Sequence, residues 1–340
     1  MVLDTRNRPL RDLRISVTDR CNFRCGYCMP KDVFGKGYKF LASSALLDYD
    51  QIERLVGIFS KHGVSKIRLT GGEPLLRNDL EALVYKLAGV AAIEDIALTT
   101  NASLLTAGRA ETLKTAGIKR INISLDALTP DIYYKINQIP YPLETILDGV
   151  NNALGAGFDA VKVNMVVQKG VNDTDILNMV EYFRGSGAIL RFIEFMDVGN
   201  HNRWDMDQVF TSGEIIELIN AHYPLSTVEA NYRGEVAQRW AFDDGSGEVG
   251  VISSISQPFC GDCARARLSA KGELYTCLFA TRGKDLKALL EQGCSDDEIS
   301  EVIAGIWSSR EDRYSEIRGQ VPTQGIRRSS QKAEMSYIGG

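Results

Sequence analysis

Cys21, Cys25 and Cys28 stand in the run Cys21-Asn-Phe-Arg-Cys25-Gly-Tyr-Cys28, directly after an apolar stretch, Leu13 to Val17, that reads as a strand. The spacing is Cys-x3-Cys-x2-Cys. A [4Fe–4S] cluster has four irons, each normally held by a thiolate. Three closely spaced thiolates leave one iron open, and an open iron can chelate a small molecule. Structural zinc prefers four ligands in paired-cysteine spacings, and no fourth Cys or His lies near this run. The bland alternative is three unconnected buried thiols. Three of only seven cysteines within eight residues argue against it.

A second group follows the pattern Cys260-Gly-Asp-Cys263, then Cys277 after thirteen residues and Cys294 after sixteen more. Three of these thiols suit a second open cluster. All four would suit zinc, for which a close pair followed by distant cysteines is common. Cys294 sits in Glu291-Gln-Gly-Cys-Ser-Asp, which reads as a helix end leading to a new cap, so it is expected to be unligated. Beside the group, Arg265 and Arg267 stand two apart. On a strand they share one face, and two guanidinium forks on one face suit a phosphate clamp. The alternative is a solvated surface pair.

Strand and helix patterns alternate through the first two hundred residues. Strands are expected at Leu13–Val17, Lys66–Thr70, Asp95–Thr100, Arg120–Leu125, Ala160–Val167 and Leu190–Met196. Helical patterns fall between them, at about 49–62, 79–88, 103–116, 143–156 and 173–184. Gly63, Gly117 and Gly157 follow three of these helices, as left-handed caps would. Such alternation predicts a parallel sheet. No Gly-x-Gly-x-x-Gly follows the first strand, which removes the dinucleotide-fold reading. Candidate functional residues gather at the carboxyl ends of strands, as in barrel enzymes. The fold expected is α/β: six βα units over residues 1–200 could make an open doubly wound sheet or a partial barrel, and the strand-end residues favour the barrel. Residues 201–340 read as an α+β region too thin in apolar residues for its own core, closing the open side. Helices are expected there at 211–222, 286–292 and 296–308, and short strands near 238–242, 249–253, 266–269 and 274–277.

A net charge of −5 argues against general nucleic-acid affinity. No apolar run reaches the roughly 18 residues a membrane span needs, and the polar start predicts no leader. An odd cysteine count does not suggest a disulfide framework; it suits reduced thiols or metal ligation in the cytoplasm. His62, His201 and His222 fall in no metal spacing and are expected at the surface. No Gly-x4-Gly-Lys-[Ser/Thr] occurs, which excludes a phosphate-loop nucleotidase.

The first cysteine motif, with Tyr27 before its last cysteine, resembles the signature of radical S-adenosylmethionine enzymes. With the second group the resemblance narrows, within that superfamily, to the GTP 3′,8-cyclases, which begin molybdenum cofactor biosynthesis. It runs nearly end to end, through Gly71-Gly-Glu-Pro74, Asn122-Ile-Ser-Leu-Asp126, Arg191-Phe-Ile-Glu-Phe-Met-Asp197 and the terminal Gly339-Gly340. Residues 137–142, Asn-Gln-Ile-Pro-Tyr-Pro, depart from the Arg- or Gly-containing loop of that family.

The resemblance implies a partial (βα)6 TIM-type barrel over residues 1–200, and a lyase that converts GTP to (8S)-3′,8-cyclo-7,8-dihydro-GTP with S-adenosyl-L-methionine and two [4Fe–4S] clusters. Cys21, Cys25 and Cys28 would hold one cluster; Cys260, Cys263 and Cys277 would hold the other, against the guanine. Tyr27, Gly72, Ser124 and Met196 would contact S-adenosylmethionine. Arg14, Arg68, Thr99, Lys162, Arg191, Arg265, Ala266 and Arg267 would contact GTP. The adenosyl radical would take hydrogen from C3′, the C3′ radical would attack C8, and Gly339-Gly340 would enter the pocket and help direct the radical. Implied partners are a flavodoxin- or ferredoxin-like electron donor and a cyclic pyranopterin monophosphate synthase that takes the product, with a homodimer as the assembly.

Two other functions share part of this pattern. A radical enzyme acting on a peptide would carry both cysteine groups but does not predict the Arg265/Arg267 pair or the glycine tail. An electron-transfer iron–sulfur protein would need neither an open iron nor a large barrel.

Overall fold

The strands of the N-terminal half alternate apolar and polar residues, and this alternation sets the architecture. A computed structural model describes residues 1–318 and 331–340; Arg327 and Arg328 of the basic tail lie outside the described residues. Strands β1 (Asp12–Ser16), β2 (Lys66–Thr70), β3 (Asp95–Thr100), β4 (Arg120–Ser124), β5 (Ala160–Val167) and β6 (Ile189–Glu194) lie side by side in chain order. All five pairings are parallel. Leu13, Ile15, Leu69, Ile121, Val163 and Phe192 are buried in the core. The intervening Asp12, Arg14, Lys66, Arg68, Asn122 and Lys162 fall on the opposite face, because successive strand side chains alternate. One face of the sheet is therefore apolar and the other is polar and cationic.

Helices α1 (Tyr49–Lys61), α2 (Leu80–Ala88), α3 (Ala107–Ala116), α4 (Pro130–Asn137), α5 (Leu143–Gly155) and α6 (Ile176–Phe183) connect the strands. The Asp48 side chain accepts from the Gln51 amide at 2.7 Å while Gln51 reaches back to Asp48, which fixes the start of α1. Gly117 ends α3 with φ +128°, a conformation closed to residues with a Cβ.

The C-terminal region adds strands to both edges of this sheet. These are β7 (Leu225–Val228), β8 (Gln238–Phe242), β9 (Glu248–Ile252), β10 (Arg265–Leu268), β11 (Glu273–Tyr275) and β12 (Lys284–Asp285). The order is β12-β11-β10-β1-β2-β3-β4-β5-β6-β9-β8-β7, so the barrel stays open between β12 and β7. Parallel pairing of β9 with β6 and of β10 with β1 continues the barrel wall. Helices α7 (Ser212–Asn220), α8 (Lys287–Glu291), α9 (Asp296–Ser308), α10 (Tyr314–Ile317) and α11 (Met335–Ile338) complete the described chain.

Pairing β10 beside β1 has a consequence for the two cysteine groups. Cys21–Cys28 follow the carboxyl end of β1, whereas Cys260 and Cys263 precede the amino end of β10, where Ala264 accepts from the Arg11 and Asp12 amides. Because β1 and β10 are parallel, the groups lie at opposite ends of the barrel. A five-residue strand at ~3.3 Å per residue puts them on the order of 15–20 Å apart.

Candidate active site

At the carboxyl end, Cys21, Cys25 and Cys28 line one cavity of about 130 Å³ together with Tyr27, Gly72, Ser124, Met335 and Gly340. Burial, and next the Glu73 carboxylate, pushes the Cys21 thiol up to about 12. Burial also raises Cys25 and Cys28. The cysteine loop is stitched by Arg24, which donates to the Cys21, Phe23 and Phe34 carbonyls at 2.7 Å each. Met196 does not line this cavity; it lies just past β6, its carbonyl held by Asn202 Nδ2 at 2.7 Å.

Gly71 and Gly72 run against the cysteine loop's own backbone. The Gly72 and Glu73 amides donate to the Thr18 and Arg20 carbonyls at 2.8 and 2.7 Å. A Cβ on Gly72 would stand 2.2 Å from the Arg20 oxygen. Both glycines are required by this strand-to-loop packing, and Gly72 still opens onto the cavity. The buried Glu73 carboxylate accepts from Thr100 Oγ1, the Asn101 amide and the Leu75 amide, which fixes the turn.

Between the two ends lies a cluster of cations that make no ion pair with a carboxylate among the described residues, Asp12 acting on them only at longer range. The register sets Arg14 beside Arg68 on one side and beside Arg267 on the other. Burial, then Arg68, Arg267 and Arg265, drives Arg14 well below its ordinary value. Arg14 Nε, Arg68 Nε and Thr99 Oγ1 are buried with no hydrogen-bond partner among the described residues. Burial and the neighbouring Arg191 lower Lys162 to about 8; burial and Arg68 lower Arg191 to about 9. Arg191 is aimed by Asn164 Oδ1 at 2.9 Å and Asn122 Oδ1 at 2.6 Å. Lys162 and Arg191 line a cavity of about 400 Å³ at the amino mouth of the barrel. Ala266 faces the other way, fully buried in the core between Arg265 and Arg267.

At the amino end, burial raises the Cys263 thiol, but the Arg265 and Arg310 guanidiniums outweigh it and bring it to about 6. Arg265 Nη2 lies 3.5 Å from Cys263 Sγ and Arg310 Nη2 lies 3.3 Å from it. Cys277 stands two residues past Tyr275, which pairs with Arg267. Cys294 is elsewhere, at the α8–α9 junction, its carbonyl held by Arg54 of α1 at 2.7 Å. The tail reaches the opposite end: Arg267 donates to the Gly339 carbonyl, and Gly340 borders the first cysteine cavity.

Residues 15–183 match the Radical SAM superfamily, and residues 188–316 match the family described as Molybdenum Cofactor Synthesis C. A GTP 3′,8-cyclase of Xanthomonas axonopodis pv. citri is 52% identical over 99% of this chain and 98% of its own length. That of Acidothermus cellulolyticus is 47% identical over 100% and 99%. The chain belongs to the GTP 3′,8-cyclase family. Among solved structures, Streptococcus suis SuiB bound to S-adenosylmethionine aligns with a TM-score of 0.60 at 15% identity. It covers 90% of this chain and 69% of that one, a likeness of fold.

Cyclases of this family carry two [4Fe–4S] clusters and S-adenosylmethionine, and three thiols at each end of the barrel are a donor set for such a cluster. Among the described residues no three His, Cys, Asp or Glu side chains converge on one metal ion. The first set shares one cavity, and at the second Arg310 touches both Cys263 and the Thr276 carbonyl beside Cys277.

Sequence reasoning missed several residues at and around the two cavities. Asp126 lines the first cavity, accepts from Tyr27 Oη and the Val166 amide at 2.8 Å each, and is raised by burial to about 6. The departing loop at 137–142 holds the cysteine loop: Asn137 and Ile136 carbonyls accept from the Arg24 and Gly26 amides, and Gln138 Oε1 from the Lys31 amide. Lys66 stacks 3.7 Å from the Tyr232 ring at the amino mouth. The Asp in Asn122-Ile-Ser-Leu-Asp126 was the one signal available, since it follows a strand end.

Proposed function

We propose that this chain converts GTP to (8S)-3′,8-cyclo-7,8-dihydro-GTP, the first step of molybdenum cofactor biosynthesis, using the interior between its two thiol groups as the substrate chamber. The observation that carries the residue assignment is the cluster of interior cations there, in which Arg14 Nε and Arg68 Nε are buried with no hydrogen-bond partner among the described residues. Burying an uncompensated guanidinium is costly, and a polyphosphate is the anion that would compensate several at once. Arg14, Arg68, Lys162 and Arg191 would take the triphosphate, with Thr99 as a further donor. Arg265 and Arg267 would hold the guanine end beside Cys260, Cys263 and Cys277, with the Ala266 backbone between them. Tyr27, Gly72, Ser124 and Asp126 would orient S-adenosylmethionine at the other end; Met196 would join them only through its main chain or a shift of its side chain.

When bound, the first cluster and S-adenosylmethionine supply the radical chemistry that opens the C3′–H bond of the ribose. The chain's own part is placement and charge. Its walls hold C3′ toward the carboxyl end and C8 toward the amino end. The guanidiniums near the base would stabilise negative charge as the ring is reduced. Residues 1–200 would carry the cofactor chemistry and residues 201–340 the second thiol set and tail.

Among the described residues no helix is long and apolar enough to cross a membrane; the cytoplasm, where thiols stay reduced, is the site of action that the two sets of free cysteines favour. Exposed Lys31, Lys36 and Lys39 adjoin the first cysteine loop in a chain of net charge −5. That local excess of positive charge favours an acidic flavodoxin- or ferredoxin-like donor. The reading extends to delivery of the product to a cyclic pyranopterin monophosphate synthase, and to a homodimer that sedimentation would reveal. The experiment that tests the function is anaerobic reconstitution with iron quantitation, followed by incubation with S-adenosylmethionine, dithionite and GTP. The cyclised dihydro-GTP should appear with 5′-deoxyadenosine; cofactor cleavage without a GTP product would overturn the reading.

A further inference from the structure

Two buried arginines from opposite ends of the chain meet at the second cysteine group. Arg8 follows a short turn closed by the Leu3–Pro9 bridge; Arg310 follows α9. Arg8 and Arg310 are 2% and 4% exposed, and between them lies Asp4, also buried. Asp4 Oδ2 accepts from Arg8 Nε at 2.6 Å and from Arg310 Nη1 at 3.1 Å. The Trp307 indole donates to the Arg8 carbonyl at 3.0 Å, and its ring lies 4.5 Å from the Arg310 guanidinium carbon.

Most of the remaining donors of this triad point at the peptides that carry the thiols; Arg8 Nη2 is buried with no partner among the described residues, and Arg310 Nε also reaches the Asp312 carboxylate at 3.3 Å. Arg8 Nη1 donates to the Cys260 carbonyl at 2.8 Å and to the Asp312 carbonyl at 2.7 Å. Arg310 Nη1 donates to the Cys263 carbonyl at 2.7 Å, and its Nε donates to the Thr276 carbonyl, next to Cys277, at 3.1 Å. Arg310 Nη2 reaches Cys263 Sγ itself at 3.3 Å. All three cysteines are thus gripped, two through their own carbonyls and one through its neighbour's. One carboxylate locks the two grips together.

We propose that Arg310, backed by Asp4 and Arg8, is a positioning residue for the second cluster, holding its three thiols apart at cluster spacing before iron arrives. Its Nη2–H would also donate to the Cys263 sulfur once metal is bound. This rests on the second group's being an iron–sulfur site. Only a planar fork with donors on three nitrogens can serve these acceptors together; an ammonium on a flexible stem cannot. Hydrogen bonds to cluster sulfurs are one of the levers that set reduction potential. The N–H donor and the positive charge both favour the state with one added electron.

The test uses Arg310→Lys and Arg310→Met in the full chain, reconstituted anaerobically. Four irons per cluster give about eight in the wild-type protein. S-adenosylmethionine binding by the first site reports that each variant is folded. Arg310→Met should fall towards about four irons per chain. Arg310→Lys, which keeps the charge beside Asp4 and carries the test should the Met variant not accumulate, should retain intermediate iron. Whatever second cluster it holds should titrate at a more negative potential in a redox titration followed by electron paramagnetic resonance. Wild-type iron with wild-type potential in Arg310→Lys overturns the proposal. About four irons in the wild-type protein overturns both this proposal and the two-cluster reading.

Discussion

The Arg267 guanidinium donates a hydrogen bond to the main-chain carbonyl of Gly339. Arg267 belongs to β10, which leads out of the second cysteine group, while the next residue of the tail, Gly340, borders the first cysteine cavity. One contact therefore joins the two ends of the barrel through its interior. Gly339 sits at φ +82°, and a Cβ there would stand 2.3 Å from Thr70 Cγ2.

Gly339→Ala should consequently expel the tail. It meets both the left-handed backbone and the Thr70 methyl, yet Ile338 and Tyr337 would still anchor the preceding turn, Ile338 by burial and Tyr337 through Glu273 at 2.8 Å. The melting temperature and iron content should stay near wild type. Cyclised product should fall at least about tenfold, the effect of misplacing a group by an ångström or so, while 5′-deoxyadenosine continues to form. Product at the wild-type rate, measured by chromatography, would return the tail to a passive role.

Arg265→Ala and Arg267→Ala should leave basal cleavage of S-adenosylmethionine intact and weaken GTP binding. A lost charge-assisted contact costs about 1.5–3 kcal/mol, or roughly ten- to a hundredfold in Kd. Arg267→Ala should also raise proteolysis of the C-terminal residues, because it removes the partner of Gly339. Equal GTP affinity in both variants by calorimetry would remove them from the substrate chamber.

Lys162 should make GTP binding depend on pH. Burial lowers it to about 8, followed by Arg191 on β6, Arg120 on β4 and Arg68 on β2, with Glu235 opposing them. A bound polyphosphate favours the ammonium and raises its pKa. Complex formation then takes up a proton between about 8 and the ordinary lysine value near 10.4, and affinity falls as pH rises through that window. Below pH 7 the ammonium is already charged and the dependence vanishes. Calorimetry in buffers of different ionisation enthalpy should show this uptake at pH 9, and Lys162→Met should abolish it. Identical proton uptake in the variant would assign the effect to another group.

Asp126→Ala should weaken S-adenosylmethionine binding without loss of iron. Asp126 holds Tyr27 by the phenol at 2.8 Å, and Tyr27 lines the first cavity. Freeing that ring should raise Kd about tenfold, in line with one lost hydrogen bond to a charged group. Unchanged Kd with unchanged iron would mean that Tyr27 is held by packing alone.

Alanine at Cys260, Cys263 and Cys277 together should halve the iron, from about eight to about four per chain. The first site should still bind S-adenosylmethionine. Zinc in place of iron at the second group of the wild-type protein would overturn the two-cluster assignment.

The local signals were legible in the sequence because they depend on short stretches. Short apolar runs between helical patterns placed β1 to β6 within about two residues, and glycines after α1, α3 and α5 marked their ends. The two cysteine groups and the arginine pair could be named from spacing alone. What a sequence of this length does not carry is which strand lies beside which. That β10 pairs with β1 and β9 with β6 was decided by the tertiary fold, and that pairing puts the thiol groups at opposite ends and turns Arg14, Arg68 and Arg267 into neighbours. α4 and β7, short segments of eight and four residues, were missed. Gly71 and Gly72 read as ligand-facing, yet the first demand on them is the backbone of Thr18–Arg20. Arg310 gave no sign at all: its partner Asp4 lies about three hundred residues away in the chain. Hydrogen bonds and charge repulsion act over a few ångströms of space. Sequence fixes the chemistry of each side chain, while only the packed sheet determines which of those chemistries come within reach of one another.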